Sequence, residues 1–482
     1  MFDLVFKDAQ LRDGFQTFVA DLAVAGGTIA AIGTGLAGRR EIRAAGKWLL
    51  PGFLDVHTHL SLPFAGAVSA DDFFTGSRAG AFGGVTTLID FTAQRPGEGL
   101  REGFERRLAE ARGRAAIDFS FHACIGREID RPLADLAWAV ETGLTSLKVF
   151  MAYSRAGLMQ DDAGLFKVME HCRKAGVLVT VHAENGGLID FLTDRLLGGT
   201  TRPNPRGEPP LGERADALPA SSLGIGALPL TRPVYTEVEA ISRLGHLARA
   251  TGAATYIVHV SSGDGATALA TARRHGAPLL GETCPQYLYL NDAAFGGERG
   301  HDFSCCPPLR AAGQAAGLWA ALQAGDLQVV ATDHCPFRRA DKDRWEGDIT
   351  RLPMGLPGIE TLGPLTLWGG LNRHIPLDTA IRALTAHPAR LFGLYPRKGS
   401  LQPGADADLV LFDPDRSAEL TAAALHMGSD YSPYEGLRGA GWPVMTVSRG
   451  EIIVENGRWL GEAGRGQFLA RGSAQLDGFL PD

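Results

Sequence analysis

Residues 52–59 form the stretch Gly52-Phe53-Leu54-Asp55-Val56-His57-Thr58-His59. Its apolar first half is typical of a buried strand, and two histidines stand two positions apart where that strand ends. Side chains at positions i and i+2 of a strand point to the same side, so the imidazoles of His57 and His59 can reach one metal ion. In an α/β barrel, the carboxyl end of a strand is also the end that carries the chemistry.

Similar apolar runs recur through the middle of the chain and alternate with helix-like stretches. The predicted strands are 52–56, 86–91, 117–122, 146–151, 178–182, 255–260, 279–283 and 329–332. The predicted helices include 103–114, 133–142, 165–175, 238–251 and 263–275. Eight strand–helix repeats favour an α/β fold of the TIM-like (β/α)8 barrel type. An open doubly wound sheet is the alternative, although no Gly-rich nucleotide-binding loop follows a strand.

Both ends of the chain have a different pattern, of short strands joined by turns. Gly26-Gly27 separates two apolar runs and predicts a hairpin, and residues 407–412, 444–448 and 452–454 are also strand-like. We therefore predict one small β-sandwich domain built from both termini. Residues 1–50 would form its first part, residues 51–395 the barrel, and residues 396–482 its second part with a C-terminal tail.

The composition is that of an ordinary globular chain. Of 482 residues, 45% are hydrophobic and 21% are charged, which excludes disorder, collagen and coiled coil as whole-chain descriptions. A net charge of −7 without a basic stripe argues against a nucleic-acid partner. No apolar run reaches the roughly 18 residues that span a bilayer, and the start lacks a secretion-signal pattern. The six cysteines form no CxxC pair, so we expect reduced thiols and a cytoplasmic protein.

Three further polar residues stand at the ends of apolar runs. His182 ends the run 177–181, His259 lies in Tyr256-Ile257-Val258-His259-Val260, and Asp333 follows Val329-Val330-Ala331-Thr332. If all of these runs are strands of one barrel, the polar groups meet at one mouth. Imidazole and carboxylate ligands with an open coordination position describe a hydrolytic metal site.

Lys148 interrupts the apolar run Ser146-Leu147-Lys148-Val149-Phe150-Met151. An ammonium group buried there either costs free energy or loses its proton. Two interpretations are open at this point. The side chain can snorkel from a strand end, or the lysine can carry CO₂ as a carbamate, an anion whose two oxygens can bridge two metals.

Five motifs follow one another in order along nearly the whole chain. They are the stretch 52–59, Ser146-Leu147-Lys148-Val149-Phe150-Met151-Ala152-Tyr153, Val181-His182-Ala183-Glu184-Asn185, Val258-His259-Val260-Ser261-Ser262 and Thr332-Asp333-His334-Cys335-Pro336-Phe337. Together they resemble the dihydropyrimidinase/hydantoinase family of the amidohydrolase superfamily. The resemblance implies a TIM-like barrel, a small β-sandwich, a centre of two divalent metal ions, usually Zn²⁺, and assembly into homotetramers, with a homodimer as the alternative.

The resemblance also implies roles for individual residues. His57, His59 and Asp333 would hold one metal, and His182 and His259 the other. Lys148, carboxylated by CO₂, would bridge the two metals together with a hydroxide, which attacks the cyclic amide bond of a ureide or imide ring. Tyr153 would be the oxyanion donor, and Asp333 would carry the proton as general base and then acid.

Two positions depart from the family pattern. Cys306, in Cys305-Cys306-Pro307-Pro308, stands where the family usually has Ser, and Met354, in Leu352-Pro353-Met354-Gly355, stands where it usually has Asn. Both are expected substrate-binding positions, so the ring substrate and its substituent stay open. The segment 198–233, with six Gly and seven Pro, also lengthens the interval between His182 and His259. It is interpreted as a surface insertion, or as a lid or an oligomer contact.

Three other functions are alternatives to hydrolysis of a hydantoin or dihydropyrimidine ring. An allantoinase-type ureide hydrolase is the nearest alternative, because it opens a related ring. A dihydroorotase is disfavoured, since Leu60 follows the HxH pair where those enzymes typically have Arg. A non-catalytic dihydropyrimidinase-related scaffold is disfavoured because all six ligand positions are intact.

Overall fold

The computed structural model of the protein describes residues 1–196 and 224–480. The strands are β1 (Phe2–Arg12), β2 (Thr17–Ala25), β3 (Thr28–Gly33), β4 (Gly38–Arg43), β5 (Trp48–Pro51), β6 (Phe53–Thr58), β7 (Pro63–Phe64), β8 (Ala67–Val68), β9 (Val85–Thr92), β10 (Asp118–Cys124), β11 (Ser146–Phe150), β12 (Leu178–His182), β13 (Thr255–Ile257), β14 (Leu279–Thr283), β15 (Val329–Val330), β16 (Leu409–Glu419), β17 (Arg438–Ser448), β18 (Glu451–Glu455) and β19 (Arg458–Trp459).

The α-helices of the described residues are α1 (Phe73–Phe82), α2 (Leu100–Ala111), α3 (Asp130–Ala134), α4 (Leu136–Thr142), α5 (Asp162–Ala175), α6 (Gly186–Leu196), α7 (Ala227–Thr231), α8 (Val234–Thr251), α9 (Gly263–Arg274), α10 (Pro285–Tyr289), α11 (Gln314–Ala324), α12 (Arg339–Lys342), α13 (Leu362–Leu371), α14 (Leu377–Leu384) and α15 (Ala386–Leu391). Short 3-10 helices occur at Ser154–Ala156, Gly224–Gly226, Asp292–Gly296, Gly300–Phe303 and Asp343–Trp345.

Eight parallel strands form a nearly closed barrel in the order β6-β9-β10-β11-β12-β13-β14-β15. A parallel bridge between Thr58 and His334 joins the end of β6 to the segment that follows β15, and the His59 N–H donates to the His334 carbonyl at 2.8 Å. Each barrel strand is followed by one or more helices. The predicted (β/α)8 barrel is therefore confirmed, and the open-sheet alternative is wrong.

Burial explains why the barrel elements are legible in the sequence. All eight residues of β9 are buried, as expected for a parallel strand covered on both faces. Helix α5 instead buries one stripe, formed by Leu165, Val168, Met169 and Cys172, which matches the helical repeat. Its start is capped by the Asp161 side chain, and it ends at Gly176 with φ 71°.

All eight predicted barrel strands are present, but β13 and β15 end earlier than expected. His259 and Asp333, which follow them, have φ values of 40° and 54°, so the backbone leaves the extended conformation there. The Thr332 N–H donates to Asp55 Oδ1 at 3.1 Å instead of continuing a strand ladder. The chain therefore turns its ligand-bearing residues inward just past the strand ends.

The two termini form one nine-stranded sheet, with the order β19-β18-β17-β16-β5-β1-β2-β3 and with β4 paired to β1. Strand β5 lies between β1 and β16 and so joins the N-terminal and C-terminal parts. This sheet has its own apolar cluster, which includes Phe6, Leu22 and Leu411. The small domain built from both termini is confirmed, while its exact boundaries at residues 50 and 396 stay predictions.

Most of the Gly/Pro-rich segment 198–233 lies outside the described residues. The prediction that residues 198–223 form a surface insertion, a lid or an oligomer contact therefore also lies outside them. The described end of this segment contains the 3-10 helix Gly224–Gly226 and the short helix α7. Among the described helices, none has the length and apolar character needed to cross a membrane.

Candidate metal centre and active site

The predicted metal ligands meet at the carboxyl end of the barrel. His57 and His59 lie at the end of β6, and their Nε2 atoms are 3.2 and 3.0 Å from Asp333 Oδ1. Asp333 follows β15, so barrel closure brings it beside the first strand. This is the grouping predicted for the first metal.

The second predicted pair is also together. His182 Nδ1 lies 3.0 Å from His259 Nε2, and both imidazoles are buried. His57, His259 and Asp333 each place one potential ligand atom within 4.8 Å of the other two. The group of His57, His59 and Asp333 and the pair of His182 and His259 therefore form one continuous cluster rather than two separate sites.

Lys148 lies within this cluster on β11 and is 2% exposed. Its Nζ is 5.4 Å from the centroid of the Phe91 ring and 5.3 Å from that of Phe150. Burial lowers the pKa of Lys148 to about 8. The sequence interpretation of a snorkelling lysine is therefore wrong, because the side chain does not reach solvent.

The electrostatics of the cluster suit a metal ion. Burial lowers the pKa values of His57, His182 and His259, which favours the neutral imidazoles that ligate metals. Burial alone would raise the pKa of Asp333, but His57 and His59 hold that pKa below the usual carboxyl value. Imidazole nitrogens together with an ionised carboxylate are a donor set that divalent ions such as Zn²⁺ bind.

Three residues around the cluster have a backbone conformation that is uncommon for non-glycine residues. The φ values are 67° for Tyr153, 40° for His259 and 54° for Asp333. Such conformations persist only where the surroundings impose them, and they are concentrated at functional sites. Each of the three follows a barrel strand, where the turn aims its side chain into the mouth.

Two buried glutamates that the sequence analysis missed hold the histidines. Glu282 Oε1 lies 2.5 Å from His57 Nδ1 and accepts from the His259 N–H at 3.1 Å. Glu184 Oε2 lies 2.8 Å from His182 Nε2. Carboxylates in this position orient a ligating imidazole and fix its tautomer. The signal for Glu282 was present, since it is a charge within the buried strand β14, just as Lys148 is within β11.

Tyr153 lies beside the second pair of ligands. Its ring centroid is 4.8 Å from that of His182, and the Arg232 guanidinium carbon is 5.0 Å from the Tyr153 ring centroid. Burial, and then the neighbouring Cys306, raise the pKa of Tyr153 well above its usual value. The hydroxyl therefore keeps its proton and can donate a hydrogen bond.

The two predicted substrate-binding positions lie on loops that are tied together through Ser304. The Ser304 side chain donates to the Pro353 carbonyl at 2.9 Å, and the Gly355 N–H donates to the Ser304 carbonyl at 2.9 Å. Cys306 is buried beside Tyr153. Met354 is half-buried and packs against the apolar core. The described contacts therefore link Cys306, rather than Met354, to the ligand cluster.

These observations define a barrel enzyme with a buried cluster of imidazole, carboxylate and lysine side chains. The amidohydrolase family model matches residues 48–453, a range that contains every predicted ligand. The chain belongs to the amidohydrolase family, and the family and hydrolase class predicted from the sequence are confirmed.

Individual relatives resemble the chain over nearly its full length. The D-hydantoinase of Streptomyces coelicolor is 39% identical over 477 residues, 98% of this chain and 96% of that protein. A D-phenylhydantoinase of Escherichia coli is 38% identical over 458 residues, 94% of each. The crystal structure of dihydropyrimidinase from Brevibacillus agri has a TM-score of 0.90 at 37% identity and covers 98% of this chain and 99% of that one.

Proposed function

We propose that the protein is a cyclic amidohydrolase that opens the ring of a cyclic ureide or imide, of the hydantoin or dihydropyrimidine type, by hydrolysis of a ring amide bond. The observation that carries this proposal is the cluster of four histidines, Lys148 and Asp333 at the carboxyl end of the barrel. The hydantoinase and dihydropyrimidinase relatives support the ring class.

The residues that would hold two divalent ions, with Zn²⁺ as the best fit to the donors, follow from their grouping. His57, His59 and Asp333 would bind one ion, and His182 and His259 the other. When bound, such ions make water acidic enough to supply hydroxide near neutral pH and polarise a carbonyl.

Lys148 would join the two groups of ligands as a carbamate. The neutral amine adds CO₂ and releases one proton, which leaves an N-carboxylate with two oxygens in place of a buried cation. This removes the cost of an ammonium group among imidazoles. The burial of Lys148 and its place within the cluster support the assignment.

Two side chains would carry out the rest of the reaction. Asp333 would accept the proton of the attacking water and pass it to the ring nitrogen that leaves, acting first as general base and then as general acid. The Tyr153 hydroxyl would donate to the carbonyl oxygen, where negative charge develops.

The test is a turnover panel on zinc-loaded enzyme with hydantoin, 5-substituted hydantoins, dihydrouracil, allantoin, dihydroorotate and cyclic imides. Ring opening of hydantoins, dihydrouracil or imides supports the proposal, with Asp333→Asn as the blank. A strong preference for allantoin would replace it with the allantoinase-type function. No turnover of any ring by a protein that fails to retain zinc after loading would leave a non-catalytic scaffold.

We also infer a cytoplasmic homotetramer, with a homodimer as the alternative, and no nucleic-acid partner. All six cysteines are free thiols, which agrees with a reducing compartment. Light scattering coupled to size-exclusion chromatography measures the assembly directly.

A further inference from the structure

The backbone of Tyr153 must be held in place by its neighbours. Its φ of 67° and ψ of 45° place an aromatic residue in the left-handed region. Residues other than glycine rarely adopt this backbone conformation unless neighbouring groups hold them in it. The Phe150 ring packs edge-on against Tyr153 with centroids 5.9 Å apart, and the His182 ring lies at 4.8 Å.

Arg232 supplies a charged contact on the same ring. Its guanidinium carbon lies 5.0 Å from the Tyr153 ring centroid, within the range of a cation–π interaction. Arg232 belongs to the described end of the Gly/Pro-rich segment and directly follows α7. The segment that lengthens the interval between His182 and His259 therefore ends at an active-site contact.

Arg232 also reaches a metal ligand through one intermediate. Its Nη1 donates to Glu184 Oε2, and the same oxygen lies 2.8 Å from His182 Nε2. Glu184 is fully buried, so its charge depends on the guanidinium for compensation. With Nε2–H donating to Glu184, the lone pair of Nδ1 faces His259 Nε2, 3.0 Å away.

Arg232 is itself fixed. Its carbonyl accepts from Arg310 Nη1, and Arg310 Nε donates to Ser261 Oγ at 2.9 Å. The Arg232 side chain is 11% exposed. With its backbone held in this way and its side chain largely buried, the Arg232 guanidinium can transmit orientation rather than only add charge.

We propose that Arg232 is a positioning residue that orients two active-site groups at once, Tyr153 through the face of its ring and His182 through Glu184. The proposal rests on the role of Tyr153 under the proposed function. The two contacts of Arg232 predict different effects. Loss of the contact with Tyr153 should lower kcat, and loss of the contact with Glu184 should weaken metal retention.

The experiment is a double-mutant cycle on the zinc-loaded enzyme. Arg232→Met keeps an unbranched apolar stem but removes the charged guanidinium, and it should lower kcat about 10-fold with little change in KM. Tyr153→Phe should lower kcat further than that. The double variant should be no slower than Tyr153→Phe alone, because the contact that Arg232 orients is already gone.

Two other measurements complete the test. Arg232→Lys should restore part of kcat, since it keeps the charge but not the planar guanidinium. Arg243→Met, on helix α8 away from the cluster, is the matched control and should behave as the parent. Zinc retained against a chelator should fall in Arg232→Met and Glu184→Gln, and no further in their double variant.

Independent, multiplying losses in both cycles would overturn the proposal, and so would parental kcat and zinc retention in Arg232→Met. If Tyr153→Phe has parental turnover, the proposed role of Tyr153 fails, and the zinc cycle alone then decides on Arg232. If Arg232→Met does not fold, Arg232→Lys replaces it in both cycles, with smaller losses expected and the same lack of additivity in the double variants.

Discussion

His57 Nδ1 lies 2.5 Å from Glu282 Oε1, although the two residues are 225 positions apart in the chain. Glu282 is further held by the Tyr256 hydroxyl, which donates to Oε2 at 2.8 Å. With Nδ1–H donating to the glutamate, Nε2 of His57 carries the lone pair and faces Asp333. The glutamate therefore selects the tautomer in which His57 can bind a metal.

Glu282→Gln should weaken zinc binding by about 10–100-fold, the usual effect of removing such a carboxylate. The amide keeps the size of the side chain but cannot ionise, whereas the Glu282 carboxyl can, with a pKa that burial raises to about 8. Zinc titration against a competing chelator measures the change. Glu419→Gln, at an exposed surface pair with Arg438, is the control and should bind zinc as the parent does. Unchanged affinity in Glu282→Gln would show that His57 needs no such partner.

Lys148→Ala should lose bound metal and activity together, because the proposed bridging ligand is removed. Short carboxylic acids are expected to restore part of the activity by occupying the same place. Metal per chain and turnover are measured side by side, with the exposed Lys167→Ala as the control. Full metal content with normal turnover in Lys148→Ala would exclude the bridging role.

Asp333→Asn should reduce kcat by about 10²–10⁴-fold with a small change in KM. Asn keeps an oxygen that can contact a metal but cannot carry the proton. Zinc content is determined first, so that a loss of turnover caused by loss of metal can be distinguished from a loss of proton transfer. A decrease in kcat below about tenfold would assign the proton transfer to another group.

Cys306→Ser combined with Met354→Asn should move preference from 5-substituted hydantoins with apolar substituents toward dihydrouracil. Apolar pockets discriminate small differences by about 1–3 kcal/mol, so a shift of roughly tenfold in the kcat/KM ratio is expected. Cys306 should contribute most of it, because it lies beside Tyr153 while Met354 packs against the core. A parent enzyme that already prefers dihydrouracil, or an unaltered ratio, contradicts this prediction.

The burial of Lys342 leads us to predict that the free energy of unfolding depends on pH. Burial lowers the pKa of Lys342 to about 7, whereas an unfolded lysine titrates near about 10.4. Between these values the unfolded chain binds a proton that the folded chain does not, so the free energy of unfolding rises with pH. Below pH 7 both states are protonated and the cost of the buried charge is fully present.

The measurement is urea unfolding of the parent and Lys342→Met at about pH 6.5, 8 and 9.5. The stability of the parent relative to the variant should increase along this series. A difference that stays flat would mean that the folded state keeps the Lys342 proton, held by the Asp302 and Ser304 carbonyls and the Ser304 hydroxyl.

Much of the barrel could be predicted from the sequence because burial leaves a local pattern. Parallel strands covered on both faces are continuous apolar runs, as in β9 and β12. A charged or imidazole side chain within or at the end of such a run is conspicuous, and this is how Lys148 and His182 were found. The ends of the chain carried short apolar runs separated by turns. Of these turns, Gly26-Gly27 predicted one hairpin, while the other strand pairings could not be predicted from the sequence.

The tertiary structure decided which residues face one another. Glu282 is visible in the sequence as a charge within an apolar run, but its partner His57 lies far away in the chain, so its role was missed. Arg232 was missed because its partner Tyr153 is also distant in sequence. The conformation of Tyr153 and the early ends of β13 and β15 also depend on contacts outside their own segments. Residue types and periodicity record whether a side chain is buried, but only closure of the barrel brings the end of the first strand against the segment that follows the last. Barrel closure therefore places His57 and His59 beside Asp333, and this contact determines the geometry of the site.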